Sequence, residues 1–246
     1  MKRVIIYLFL LSSFSVSGQE KTAIKDKRFF IGINVSPDIC YRTMVNPENA
    51  SPDQTHLNIF RDSIEVPKFG YTAGLNFSYR INKRLNIQTG IQYSNKGFKT
   101  IPVNYYDRYF ILSYTYYRYL PREKAIYISN YSYVDFPLTV NYSFLSTRLQ
   151  IITSLGLVVN WWQQTTIKII PDPSNTAWDT FKSITYDSDE SYNRIDLSSA
   201  IGIGVKFNIN DRMNFRAEPT FRYGLINSFT HLWSAGINFG YYVALF

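Results

Sequence analysis

The sequence predicts an all-β fold, an eight-stranded antiparallel up-and-down transmembrane β-barrel with long extracellular loops and short periplasmic turns. Three observations carry this. Aromatic residues make up 17% of the 246 residues, with 21 Tyr and 18 Phe, while charged residues make up only 18%. Average globular domains carry roughly 25% charged residues, so this chain has too little charge to coat an ordinary soluble surface. Beyond the N-terminus no apolar run reaches the 18 or so residues that a spanning helix requires. Apolar residues instead alternate with small polar ones. In FGYTAGLNFSYRI (69–81), the odd positions are Phe, Tyr, Ala, Leu, Phe, Tyr and Ile, and the even ones Gly, Thr, Gly, Asn, Ser and Arg.

The elements follow in order. MKRVIIYLFLLSSFSVSGQE has a basic start at Lys2 and Arg3, an apolar run from Val4 to Leu11 and a small-residue stretch ending at Gly18. This reads as a signal peptide over 1–18, cleaved before Gln19, since the apolar run is short for a span. A short periplasmic segment over 19–27 precedes the barrel domain at 28–246. Strand one, RFFIGINVS, sets Phe29, Ile31, Ile33 and Val35 on one face, and the stretch at 69–81 is strand two. Strand three, LNIQTGIQYSNK, opposes Leu85, Ile87, Ile91 and Tyr93 to Asn86, Gln88, Gly90, Gln92 and Ser94. Strand four, SYVDFPLTVNYSF, and strand five, LQIITSLGLVVNWW, alternate in the same way. So do strand six, RIDLSSAIGIGVKFNI, strand seven, NFRAEPTFRYGL, and strand eight, LWSAGINFGYYVALF.

The connections alternate too. Residues 42–67, 99–124 and 167–192 are long and polar; NKR (82–84), LST (145–147) and NDR (210–212) are tight turns, and the last long-side connection, 227–231, is brief. Long loops on one side and minimal turns on the other is the habit of outer-membrane barrels, with the turns periplasmic.

A soluble barrel also alternates, so the choice rests on what each face is made of. The polar face is Gly, Ser, Thr, Asn and Gln, poor in the Lys and Glu that solvate a strand. The apolar face is nearly unbroken, as a lipid-facing band must be. Outward aromatics fall into two girdles: Tyr79, Tyr142, Phe144, Phe207, Phe215 and Tyr241 near the turns, and Phe69, Tyr71, Tyr93, Trp161, Tyr223 and Trp233 near the outer boundary. An eight-stranded barrel is filled by its own side chains. Arg80, Lys96, Lys206, Arg216 and Arg222, with Asp135, Asp196 and Glu218, form the candidate polar network of that lumen, where buried charges need partners.

YVDFPLTVNY (133–142), SLGLVV (154–159) and DLSSAIGIGVKF (196–207) resemble the small outer-membrane β-barrel domain common in Bacteroidota, the PorT-like family. The resemblance spans roughly 28–246 and makes Pro137, odd within a strand, expected. Ser198 and Ala200 stand where that family usually has glycine. The resemblance implies an outer-membrane barrel; some members serve secretion or gliding machineries, and no catalytic residues carry over. At the chain end, Asn238, Gly240, Val243, Leu245 and Phe246 resemble the signal read by the barrel-assembly machinery.

The net charge of +8 is dispersed, and with the single Cys40 there is no disulfide framework. Nucleic acid is not an expected partner of an exported barrel; outer-membrane lipid is. No Walker sequence, dinucleotide fingerprint or Cys/His metal cluster occurs, and no cofactor or metal is expected. DSDE (187–190) lacks the spacing of a calcium loop. His56 and His231, both assigned to outer loops, are the only histidines, and a loop-sited enzyme would rest on them. The richest irregularity is 104–133. There Tyr105, Tyr106, Arg108, Tyr109, Tyr116, Tyr117, Arg118 and Tyr119 combine residue types enriched at binding hot spots, suited to a protein partner or a surface glycan. The same tyrosines would also suit strands that run on past the membrane as a hairpin. The expected function is a non-enzymatic structural or interaction component of the outer membrane, with a small-solute channel as the alternative.

Overall fold

The structure, a computed structural model, describes residues 28–45, 52–104, 124–145, 147–172, 184–187, 194–226 and 230–245. The leader, the tyrosine- and arginine-rich segment 105–119 and Phe246 lie outside them. Eight long strands make the wall: β1 (Phe29–Met44), β2 (Glu65–Arg80), β3 (Leu85–Thr100), β5 (Lys124–Ser143), β6 (Leu149–Pro171), β8 (Ile195–Asn208), β9 (Met213–Gly224) and β10 (Thr230–Ala244). Two short ones, β4 (Val103–Asn104) and β7 (Ile184–Asp187), add to the outer edges of β5 and β6. Each wall strand is antiparallel to its neighbours, and β10 pairs with β1 from Phe30↔Ala244 to Met44↔Thr230, closing the ring. Closure is what hydrocarbon demands, because an open sheet edge leaves backbone groups unsatisfied there.

The faces are inverted relative to a soluble protein. Phe69 is 75% exposed, Leu155 66% and Ile203 63%, all on the outer wall. Inside, polar and charged residues outnumber apolar ones among the described buried residues. A monomeric soluble protein rarely exposes so large a continuous apolar surface. The girdles are present as packed rings: Phe29–Tyr79 at 4.9 Å and Tyr142–Phe144 at 5.2 Å near the turns, and Tyr71–Tyr93 at 6.1 Å and Tyr41–Trp233 at 5.9 Å above.

Several sequence-based boundaries need correction, all at the outer end. The segment 42–67 is not a loop throughout: β1 runs to Met44, and a helix, α1 (Pro52–Ile64), leads straight into β2. Likewise β3 reaches Thr100, β5 begins at Lys124, β6 continues to Pro171 and β10 starts at Thr230. A tilted strand crosses the membrane in about 9–11 residues. With 20 and 23 residues, β5 and β6 therefore carry about ten and about thirteen residues beyond that span, roughly 30–40 Å of strand.

Two irregularities mark where the wall changes character. Gln163 is left over between the pairs Ser132↔Gln164 and Tyr133↔Trp162, and the β2–β3 register shifts between Pro67 and Tyr71. Bulges of this kind bend strands at barrel rims. Beyond the first, the β5–β6 hairpin rises as a projection with its own buried cluster of Ala125, Tyr127, Ile167 and Ile169.

Candidate functional site

The inward face builds a stack of polar layers. At the turn end, Phe30, Tyr242 and Ala244 form a small apolar floor. The Arg80 guanidinium lies 4.6 Å from the Phe30 ring centre, and that of Arg216 4.3 Å from Tyr242. The Tyr242 ring rests flat on backbone where Gly32 and Gly240 stand; a β-carbon at Gly240 would meet its Cε2 at 2.6 Å. Above the floor, amides interlock. Asn141 donates to Asn86 at 2.7 Å, Gln92 to Asn76 at 2.8 Å, Arg216 to Gln88 at 2.9 Å and Asn34 to Asn238 at 3.2 Å. The Ser154 hydroxyl donates to the buried Glu218 carboxylate.

The centre of the upper lumen is Asp135, fully buried on β5. Lys96 of β3 lies 3.1 Å from its Oδ2 and Arg222 of β9 3.7 Å. Neither contact is aligned as a hydrogen bond, so the attraction is that of charge. Lys96 also donates to Asn160 at 2.9 Å, and Arg222 to Thr72 at 3.2 Å and Gln92 at 3.3 Å. Thr72 in turn donates to Asp38 at 2.7 Å. Near the outer rim Lys68 is held between the side chains of Asn95 and Asn130. Arg42 clasps Glu65 side-on, at 2.7 and 2.5 Å, with its guanidinium 3.8 Å from the Phe98 ring centre. Phe98, Tyr131 and Tyr133 complete this roof.

Arg80, Lys96, Asp135, Asp196, Lys206, Arg216, Glu218 and Arg222 thus all stand on the lumen side, but they do not form one network. Lys96, Asp135 and Arg222 are brought together. Glu218 is bonded to Ser154, and Asp196 accepts from the Leu197 N–H at 2.8 Å. Arg80, Lys206 and Arg216 collect at the turn end. Asp38, Arg42, Glu65 and Lys68 were not predicted. Asp38, Arg42 and Lys68 obey the even-position alternation of their strands and could have been found by extending it. Glu65 could not, because the bulge after Pro67 reverses the face on which β2 residues point. Tyr242 also escaped, as a large ring on a face otherwise made of small residues.

Cavities interrupt the packing of the described residues. One, of about 10 Å³, is bordered by Lys96, Asn160, Asp196, Ser198 and Arg222, and one of about 40 Å³ by Gln88, Gln92, Thr139, Glu218 and Arg222. A water needs some 10–15 Å³, so they have room for one water and for a few.

The histidines need correcting as well. His56 is on α1, and His231 is in β10, where its ring stacks on Tyr223 at 5.2 Å and Nδ1 lies 2.7 Å from the Gly224 carbonyl. Among the described residues no group of three or more His, Cys, Asp or Glu is placed to hold a metal. Of the chain-end residues, Asn238 and Gly240 face inward while Val243 and Leu245 face out.

An apolar wall, a closed ring of eight strands and a polar filling define an integral outer-membrane β-barrel. The chain belongs to the outer membrane protein beta-barrel domain family, whose model matches residues 18–230. No curated protein matches it. Among solved structures it is similar to Neisserial surface protein A, at 13% identity over 88% of this chain and 97% of that one, with a TM-score of 0.44. It is also similar to OprG of Pseudomonas aeruginosa (12% identity, 89% and 98%, TM-score 0.38). A third is Ail, the attachment invasion locus protein of Yersinia pestis (11% identity, 88% and 99%, TM-score 0.38).

Proposed function

We propose that the protein is a non-enzymatic component of the outer membrane that anchors a binding surface at the cell exterior, serving a secretion or surface-assembly complex. The observation that carries this is the asymmetry of the barrel. Its lumen is packed with hydrogen-bonded side chains, whereas β5 and β6 run about ten and about thirteen residues past the membrane span. The segment 105–119, with Tyr105, Tyr106, Arg108, Tyr109, Tyr116, Tyr117, Arg118 and Tyr119, is joined to this projection through β4 and β5. Tyrosine and arginine supply large contact area and charged forks to a protein partner or a surface glycan. The leader at 1–18 supports export in a Gram-negative cell, the DFPL strand a place in the PorT-like group of Bacteroidota, and Asn238, Gly240, Val243, Leu245 and Phe246 recognition by the barrel-assembly machinery.

The test is extraction of the tagged full chain from its native outer membrane in mild detergent, followed by mass spectrometry of what remains bound. A stoichiometric companion that is lost on deleting 105–119, with the barrel still folded, is the expected result. A barrel that purifies alone in both forms would contradict this reading. The channel alternative has its own measurement. In planar bilayers the protein is expected to show no steady conductance steps, because hydrogen-bonded side chains fill the described lumen and the two cavities described there are of only about 10 and 40 Å³. Reproducible steps from the folded protein would make it a pore.

A further inference from the structure

We infer that the turn end of the lumen is a binding site for a phosphate-type oxyanion, built by Lys206 and Arg216 with Arg80 beside them. Lys206 (β8) and Arg216 (β9) are directly opposite each other in register and both face inward. Each is 5% exposed. Like charges so placed repel, and a buried charge without a counter-charge is costly. Lys206 nevertheless has no hydrogen-bond or ion-pair partner among the described residues, and its charged neighbours are Arg216 and Arg80. Arg216 spends one nitrogen on Gln88 and leaves Nε without a partner.

Two more buried atoms of this floor are unpartnered: Oε1 of Gln150, whose residue pairs with Lys206, and Oδ1 of Asn214, on the next inward position of β9 before Arg216. These two acceptors call for a donor such as water, whereas Arg216 Nε calls for an acceptor. Water could satisfy the two acceptors, but it brings no charge to offset Lys206, whose charged neighbours are both cations. The nearest carboxylate along β9, Glu218, lies deeper, bonded to Ser154; its charge reaches Arg216, while Lys206 has only cations as charged neighbours. The surface around the turns is basic as well. Arg28, Lys83, Arg84, Arg148 and Arg212 are exposed around the turns, with Asp211 the one carboxylate among the described turn residues. An oxyanion between Lys206 and Arg216 would accept charge-assisted hydrogen bonds from both, and its hydration shell would reach Gln150 and Asn214. Its source is either a free anion or the headgroup of an anionic phospholipid at the periplasmic leaflet.

Isothermal titration of the folded full chain in neutral detergent, with inorganic phosphate against chloride at constant ionic strength, tests the site. Saturable binding is expected, weakened at least tenfold by Lys206→Gln and retained by Lys206→Arg and by the surface pair Lys83→Gln/Arg84→Gln, with folding checked by heat-modifiable gel migration. No saturable phosphate binding to the unaltered chain would overturn the site, whatever the variants do. So would an affinity that survives Lys206→Gln, or one abolished by the surface pair, since the exposed cations alone would then account for it. Native mass spectrometry of protein taken from its own membrane separates the sources. A phosphatidylglycerol adduct lost in Lys206→Gln identifies a headgroup, and phosphate binding with no lipid adduct identifies a free anion.

Discussion

Asp135→Ala is expected to lower the unfolding free energy of the barrel by about 3–5 kcal/mol, the usual cost of stripping a buried ion pair of one partner. The effect is large because two cations lose their counter-charge at once. Lys96 and Arg222 approach Asp135 from separate strands, at 3.1 and 3.7 Å. Their side chains are only 6% and 9% exposed, and the cavities beside them have room for no more than a few waters. Lys96 would keep Asn160, and Arg222 would keep Thr72 and Gln92, so the amide layer limits the damage without removing the charge. Urea titrations in lipid vesicles, followed by tryptophan fluorescence, measure the loss. The pair Asp135→Asn/Lys96→Gln should recover part of it, because one of the two stranded cations is then gone. A single variant as stable as the parent would mean that the lumen is wet enough to solvate both cations.

Tyr242→Ala is expected to cost a similar 3–5 kcal/mol, as buried aromatic-to-alanine changes do, and Tyr242→Phe about 1 kcal/mol or less. The difference separates the ring from its hydroxyl. The ring fills the space above Gly32 and Gly240, touches Phe30 and Ala244 and underlies Arg216. The hydroxyl accepts one long hydrogen bond, 3.3 Å from Asn76 Nδ2. The same titrations rank the two variants. Equal losses would assign the stability to the hydroxyl and contradict the packing account.

Much of this fold was legible because each strand faces two different media. Lipid on one side selects Ile33, Leu75, Leu155 and Ile203; a cramped lumen on the other selects Asn34, Asn76, Ser154 and Gly202. A period of two therefore exposes both strand and orientation, and it places the inward charges on the correct side. It could not reveal which charges meet. Lys96, Asp135 and Arg222 come from β3, β5 and β9, and their meeting depends on strand stagger around the ring, which no local pattern encodes. Above the membrane the rule fails because the outward face meets water and the buried face is the apolar one, with Thr165, Ile167 and Ile169 buried and Lys168 exposed past the bulge. β6 past Gln163 alternates Thr165, Ile167 and Ile169 with Thr166, Lys168 and Ile170, a pattern with no lipid face. Helix α1, PDQTHLNIFRDSI, leaves Ile59 and Phe60 exposed and so shows no clean amphipathic stripe.

The seam between β1 and β10 has a consequence for how the chain becomes a barrel at all. Phe30 and Ala244 are partners, although more than two hundred positions separate them. Bringing such distant ends together costs about 5 kcal/mol of chain entropy on a logarithmic loop-length estimate. Contacts so remote in sequence also make folding slow. Until the seam forms, both terminal strands present unpaired edges that any other strand can copy. The dangerous interval in this protein's life is therefore its transit to the membrane, when it carries its lipid-facing surface and two sticky edges through water. Its yield is expected to depend on how fast it inserts as much as on the stability of the finished barrel.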